Sequence, residues 1–119
     1  MQIQNNFRVN KIEEIIKKNS NEKDLISIVY SLGRDCQNQI EFEYALNHLK
    51  NLANNKSSAV RACVALSFSM LIQNGYKIDK QFLEPILLEI YNNTEEKDIA
   101  NIIDAIEDIN LVTKWNLKL

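Results

Sequence analysis

The hexapeptide NSNEKD, residues 19–24, returns near the other end of the chain as NTEEKD, residues 93–98. Ser57 lies halfway between the two copies, so Ser20, Ser57 and Thr94 follow one another at equal spacings of 37 positions. Apolar residues on both sides of these hydroxyls align when the chain is written at that period. The aligned columns include Val9, Leu46 and Leu83; Ile12, Leu49 and Ile86; Leu25, Ala62 and Ile99; and Ile28, Ala65 and Ile102. The chain is therefore predicted to contain three structural repeats.

Each repeat has the pattern of two amphipathic helices joined by a polar turn. Apolar positions recur every three or four residues, which predicts helices over 8–18, 21–33, 40–54, 58–74, 79–92 and 95–110. The fourth is apolar nearly all round, so we expect neighbouring helices to cover it on both sides. With only two Gly and one Pro, the chain lacks the turn residues of a many-stranded sheet.

The predicted fold is all-α and occupies one domain, residues 1–119. Its helices are expected to form a short right-handed α-solenoid of three helical hairpins, over approximately 7–34, 40–75 and 79–110, followed by a C-terminal tail at 111–119. A six-helix bundle is the structural alternative.

The turns carry more specific predictions. Asparagine tolerates a positive φ, so left-handed residues are expected at the ends of the first helices, at Asn19, Asn55 and Asn93. The hydroxyls that follow are expected to cap the second helices: Ser20, Ser57 and Thr94. Gly33 and Gly75 are expected to end the second and fourth helices. Pro85 would disrupt a helix interior, which predicts that the fifth helix effectively begins near Leu83.

The middle repeat resembles a known family. The segment ALNHLKNLANNKSSAVRACVAL, residues 45–66, is similar to a HEAT repeat, in which a pair such as Val60-Arg61 opens the second helix ahead of small residues. The segment LEPILLEIYNN, residues 83–93, resembles the first helix of that family, including its proline. The outer repeats instead have Asp-Leu at 24–25 and Asp-Ile at 98–99. The resemblance implies HEAT-like stacked hairpins.

Few residues suggest catalysis or metal binding. His48 is the only histidine and is expected to be a half-exposed packing residue, unless the fold brings it next to two carboxylates in a cleft. Cys36 and Cys63 form no Cys-x-x-Cys pair and are expected to be reduced, buried thiols. Two isolated glycines cannot build a phosphate-binding loop. We predict a protein that is not an enzyme, with no catalytic residues, no metal and no cofactor.

Charge is distributed unevenly within a net charge of −2. Residues 1–78 hold ten basic and seven acidic residues, residues 79–110 hold two basic and nine acidic, and residues 111–119 add two basic. Nucleic-acid binding needs clustered positive charge, so no nucleic-acid partner is expected. No secretory signal or membrane-spanning apolar run is present, which predicts a cytoplasmic protein without a membrane partner. The abundance of Asn and Ile, 16 of each, hints at a low-GC bacterial genome.

The last helix holds the most asymmetric charge. Its buried stripe is expected to consist of Ile99, Ile102, Ile103 and Ile106, which leaves acidic residues on another face. The candidate partner-binding residues are Asp98, Asn101, Asp104, Glu107, Asp108 and Trp115, with Tyr30 and Tyr91 as further aromatic candidates. Clustered charge speeds the encounter with an oppositely charged partner. Alternatively, this face is only the polar cap that a terminal repeat needs for solubility.

Together these features predict a non-catalytic protein-binding module whose partner is a protein with a basic surface. In size, charge and architecture the chain is similar in general type to bacterial immunity proteins, which neutralise toxins, often nucleases, by occluding a positively charged active site. That resemblance implies a toxin domain as the partner, bound as a heterodimer by an otherwise monomeric protein. A structural or regulatory adaptor that uses another helical-repeat surface is the alternative function.

Overall fold

The computed structural model describes residues 9–18 and 21–118, and every regular element in them is helical. The helices are α1 (Val9–Lys17), α2 (Glu22–Arg34), α3 (Gln39–Leu52), α4 (Ser58–Gln73), α5 (Lys80–Asn92) and α6 (Ile99–Thr113), with one 3₁₀ turn at Glu96–Asp98 before α6. No strand forms within these two ranges, so the prediction of an all-α fold is confirmed. The predicted helix ends agree with the observed ones to within four residues, the largest difference being at the start of α6.

Helix α4 lies at the centre of the packing. Its most extensive contacts are with α2 on one side and α6 on the other. Helices α1, α3 and α5 pack against α2, α4 and α6 respectively, so each first helix contacts the second helix of its own hairpin. Small and apolar residues let neighbours approach α4 closely, and most of its residues are buried. The expectation that the fourth helix is covered on both sides is confirmed.

Side chains from the middle turn bond to both outer turns. The Ser57 hydroxyl caps α4 by accepting from the Val60 amide at 3.2 Å, as predicted, and donates to the Glu22 carboxylate at 2.9 Å. The Ser58 hydroxyl accepts from the Glu95 amide at 2.8 Å. These bonds join residues 35 and 37 positions apart, close to the repeat length.

Arg61 also ties the middle turn to the last one. Its guanidinium donates one hydrogen bond to the Asn55 carbonyl at 2.7 Å and a second to the Asn93 carbonyl. Asn55 and Asn93 follow the ends of α3 and α5, where backbone carbonyls have no amide of the same helix as a hydrogen-bond partner. The arginine that carries the resemblance in the middle repeat therefore satisfies carbonyl groups of two successive turns.

The remaining turn predictions need correction. Asn93 has a φ of −108°, and Asn55 is not among the described residues with positive φ. Asn21, not Ser20, caps α2, where its side chain accepts from the Asp24 amide at 2.9 Å. The Thr94 hydroxyl donates back to the Ile90 carbonyl instead of capping α6. Asn19 and Ser20 lie outside the described residues.

Gly33 does not end a helix. It lies inside α2 and is buried against α4, where an added Cβ would stand 2.4 Å from the Ser67 hydroxyl oxygen and 2.6 Å from the Ser67 carbonyl oxygen. The Ser67 hydroxyl donates to the Val29 carbonyl at 2.8 Å across the same contact. A missing side chain on α2 therefore allows a direct hydrogen bond between the two helices.

Gly75 ends α4 as predicted, whereas Pro85 does not delay the start of α5. Gly75 has a φ of +97°, and the Tyr76 amide beyond it bonds back to the Leu71 carbonyl, which is the Schellman arrangement. Helix α5 begins at Lys80, five residues before Pro85. Pro85 is exposed, so water can reach the backbone carbonyl that its missing amide would have bonded.

Candidate functional site

Helix α6 buries a narrower face than its sequence predicts. Its buried residues are Ile102, Ala105, Ile106 and Ile109. Ile99 is only half-buried, and Ile103 is exposed, so the predicted stripe is wrong at these two positions. The reason is that α6 contacts α4 and α5 along one side only, and no described helix follows it to cover the other side.

Three of the predicted partner-binding residues are exposed on α6: Asn101, Asp104 and Glu107. Asp108 is half-buried and stands one turn beyond Asp104 on the same helix face. Within the described residues, no lysine or arginine forms an ion pair with Asp104, Glu107 or Asp108. Their negative charge is therefore not neutralised by an ion pair in the part of the chain that the structure describes. We call Asn101, Asp104, Glu107 and Asp108 the acidic face.

Asp98 lies apart from that face. It is half-buried, and one of its carboxylate oxygens is buried without a hydrogen-bond partner. Burial raises the pKa of the Cys63 thiol on α4, and the negative charge of nearby Asp98 raises it further, against the opposing effect of the Tyr30 hydroxyl. The Asp98 carboxylate thus lies toward α4 at the start of α6 and is less exposed than Asn101, Asp104 and Glu107.

Exposed apolar side chains concentrate on the same helix. Four large hydrophobic residues are exposed in the described chain, and three of them belong to α6: Ile103 at 39%, Leu111 at 68% and Val112 at 52%. Ile103 and Leu111 lie on either side of Glu107, at helical spacings of four residues. Acidic and apolar groups are therefore both exposed on this helix.

The chain folds back against α6 after the helix ends. Lys114 and Asn116 both have a positive φ, of 63° and 57°. The Asn110 side chain accepts from the Leu117 amide at 2.8 Å and donates to the Leu117 carbonyl at 3.1 Å, and Leu117 is buried. We call residues 114–118 the hook. It fixes Trp115 beside the end of α6, where Trp115 is half-buried.

Trp115 lines a pocket of about 470 Å³ together with Tyr76, Ile78 and Val112. Buried Ile72 and Ile78 form its floor, and exposed Lys77, Asp79 and Lys80 lie at its rim. We call it the hook pocket. The Tyr76 ring stacks on Phe42 with the ring centroids 4.9 Å apart, which holds one wall in place. Trp115 was predicted as a partner-binding residue, whereas Tyr76 and Ile78 of the connection between α4 and α5, and Val112 of α6, were not predicted.

His48 takes part in a polar cluster between α1 and α3. The Tyr44 hydroxyl donates to Glu13 Oε1 at 2.7 Å, and His48 Nε2 lies 3.3 Å from the same oxygen. The rings of Tyr44 and His48 meet edge to face at 4.5 Å. His48 is mostly buried, and among the described residues Glu13 supplies the one carboxylate in contact with it, whereas a catalytic role was expected to need two.

The side chains of Tyr30 and Tyr91 are half-buried and pack against the core. Burial and then the nearby Cys63 thiol raise the pKa of the Tyr30 hydroxyl, while Tyr91 packs at the edge of the core. Cys36 and Cys63 are both free and buried, as predicted. Burial raises the pKa of each thiol, so both remain protonated at neutral pH.

Comparison of the chain with protein-family models, with curated proteins and with solved structures yields no match. Across residues 9–18 and 21–118, no group of three or more histidine, cysteine and acidic side chains could hold a metal ion. None of the helices in these ranges has the length and apolar character needed to cross a bilayer.

Proposed function

We propose that this protein is a non-catalytic protein-binding module that docks a basic protein on the exposed side of α6. One observation carries the proposal: the helix that holds the unpaired acidic face also holds three of the four large exposed hydrophobic residues in the described chain. Acidic groups attract and select a basic partner, and exposed apolar groups supply the desolvation that stabilises the complex.

The proposed scaffold is a short right-handed α-solenoid of three HEAT-like hairpins. The bonds from Ser57 to Glu22 and from Glu95 to Ser58 support it, because they connect successive turns at nearly constant separation. The dominant contacts of α4 with α2 and α6 also support it. In such a stack α6 is the terminal second helix, so a partner can reach it without displacing another element.

For the partner we propose a toxin domain with a basic active site, as in an immunity-type inhibitor acting in the cytoplasm. A nuclease must attract phosphates, so its active site offers the positive potential that Asp104 and Glu107 would complement. The same electrostatics make nucleic acid a competitor for the site. A polyanion should therefore displace this protein from such a partner.

The test compares affinities for one purified partner, first identified by mass spectrometry of what co-purifies from the native host. The interface variant is Asp104→Lys with Glu107→Lys. The control is Glu43→Lys with Glu89→Lys, because both control residues are exposed acids outside α6 and the change in net charge is the same. We expect the interface variant to bind at least about tenfold more weakly and the control within about twofold of wild type. Equal affinities for both variants would refute the proposal.

A further inference from the structure

The hook pocket is separate from the acidic face, but one row of residues on α6 runs from the face to the pocket. Asp104, Asp108 and Val112 follow one another at intervals of four residues, so they form one row along the helix. Val112 is also a wall of the hook pocket. A polypeptide that lies along the acidic face therefore reaches the pocket at the end of the same row.

The pocket differs from the acidic face in charge. Its walls and floor are apolar or aromatic, and its charged rim holds Lys77 and Lys80 against Asp79. Lys114, which precedes Trp115 in the hook, is exposed and adds a further positive charge nearby. The rim therefore favours a negatively charged group, whereas the acidic face favours a positive one.

The pocket is also held in shape before any partner arrives. Two non-glycine residues in the hook, Lys114 and Asn116, adopt the left-handed conformation, which L-residues disfavour. Asn110 holds this backbone by bonding both the amide and the carbonyl of Leu117. A preformed wall binds with less loss of conformational entropy than a flexible one, and strained backbone that is held in this way is common at binding sites.

We infer that the hook pocket is an anchor site for a partner segment in which a large apolar side chain lies next to acidic residues. This inference rests on the proposed function for the source of the segment. A volume of about 470 Å³ accommodates one or two large side chains against Trp115 and Tyr76. Lys77 and Lys80 pair with the adjacent carboxylates. The partner surface thus carries basic groups opposite Asp104 and Glu107 and an acidic, apolar segment beyond them.

Two synthetic peptides test the pocket without the partner. Both have a central Leu-Phe pair and blocked ends; one pair is flanked by aspartates and the other by lysines. Trp115 is the only tryptophan in the chain, so its emission reports occupancy of the pocket directly. We expect the aspartate peptide to change that emission saturably with a Kd near about 1 mM, and the lysine peptide to bind about tenfold more weakly or worse.

Two variants show whether the pocket itself is responsible. Val112→Glu places a charge in the wall at a residue that is 52% exposed, so it should not disturb folding, and we expect it to abolish the response. Lys77→Glu with Lys80→Glu should reverse the preference between the peptides. Absence of a saturable response, equal binding of both peptides by wild type, or unchanged binding by Val112→Glu would each overturn the inference.

The interface variant separates this inference from the proposed function. Asp104→Lys with Glu107→Lys lies outside the pocket, so it should bind the aspartate peptide within about twofold of wild type. If the peptide binds and the interface variant keeps full affinity for the protein partner, the proposed function fails while the anchor pocket stands. If the aspartate peptide does not bind and the interface variant loses affinity for the protein partner, the anchor pocket fails while the proposed function stands.

Discussion

The backbone amide of Glu95 donates a hydrogen bond to the hydroxyl oxygen of Ser58, 2.8 Å away and 37 positions earlier in the chain. One residue before Ser58, the Ser57 hydroxyl bonds to Glu22 of the preceding turn. Two adjacent serines therefore hold the middle turn to both of its neighbours. These bonds span 35 and 37 positions, so they connect turns that are far apart along the chain.

Removing these hydroxyls should destabilise the fold. Ser57→Ala loses the cap of α4 as well as the bond to Glu22, and Ser58→Ala leaves the Glu95 amide without its partner. We expect each variant to lower the free energy of unfolding by about 1–2 kcal/mol in urea titrations. Ser27→Ala is the control, because Ser27 is exposed on α2; it should change stability by less than about 0.5 kcal/mol. Losses no larger than that of the control would show that the turns are held by other contacts.

A methyl group at Gly33 should also be destabilising. Alanine is about 1 kcal/mol better than glycine in an unconstrained helix, so helix propensity alone predicts a more stable protein. The clash with the Ser67 hydroxyl and carbonyl oxygens must instead push α2 away from α4. We expect Gly33→Ala to lower the free energy of unfolding by about 2 kcal/mol. A gain in stability would mean that the helices separate easily at this contact.

The sequence predicted local features of this fold better than distant ones. Helix periodicity and the Ser57 cap depend on residues within one turn of each other, so they could be read directly. The role of Gly33 depends on Ser67, 34 positions later, and only the packing of α2 on α4 brings them together. The predicted left-handed conformation of Asn93 was wrong, and the bond from Arg61 to its carbonyl is a contact between turns that local sequence does not show.

The hook should depend on Asn110. Asn110→Ala removes both side-chain bonds to Leu117 and leaves the strained backbone at Lys114 and Asn116 without support. We expect the emission maximum of Trp115 to shift to longer wavelength as the ring becomes hydrated, while far-UV circular dichroism stays unchanged. Asn101→Ala, on the exposed face of the same helix, is the control and should leave the emission unchanged. An unshifted maximum in Asn110→Ala would show that the hook folds without this side chain.

The cluster between α1 and α3 should make stability depend on pH at both extremes. The hydrogen bond from Tyr44 lowers the pKa of Glu13, so its stabilising contribution is present above the unfolded value of 4.5 and is lost as pH falls through the lower folded value. Burial and then Glu13 raise the pKa of Tyr44, so that contribution is present below the unfolded value of 10.0 and is lost as pH rises through the higher folded value.

Tyr44→Phe removes the phenol from this cluster. We expect it to cost about 1 kcal/mol near pH 7, an ordinary hydrogen bond partly screened by solvent, with a smaller difference from wild type below pH 4 and above pH 10. Urea titrations across pH measure the difference. Tyr91→Phe, at a half-buried tyrosine on α5, controls for loss of a hydroxyl and should show no such dependence. A cost for Tyr44→Phe that is the same at every pH would contradict this account.

The candidate site was predictable in charge and less so in shape. The acidic residues of α6 could be identified from composition and helical spacing, and the structure leaves three of the six candidates exposed. The exposure of Ile103 could not be predicted, because it depends on which side of α6 lacks a neighbouring helix. The hook pocket depends on the left-handed conformation of Lys114, which a sequence usually signals with a glycine and here does not. It also depends on the α4–α5 connection, which lies some 35 positions earlier.

The central claim is that negative charge on α6 guides a basic partner to this surface. The most direct measurement is the association rate constant with the purified partner at a series of salt concentrations, for wild type and for Asp104→Lys with Glu107→Lys. We expect the wild-type rate to fall at least about tenfold as ionic strength rises from about 0.01 M to 0.15 M, and the variant to start slower with a much weaker dependence on salt. Parallel salt dependences for the two proteins would contradict the claim, because the acidic face would then take no part in the encounter.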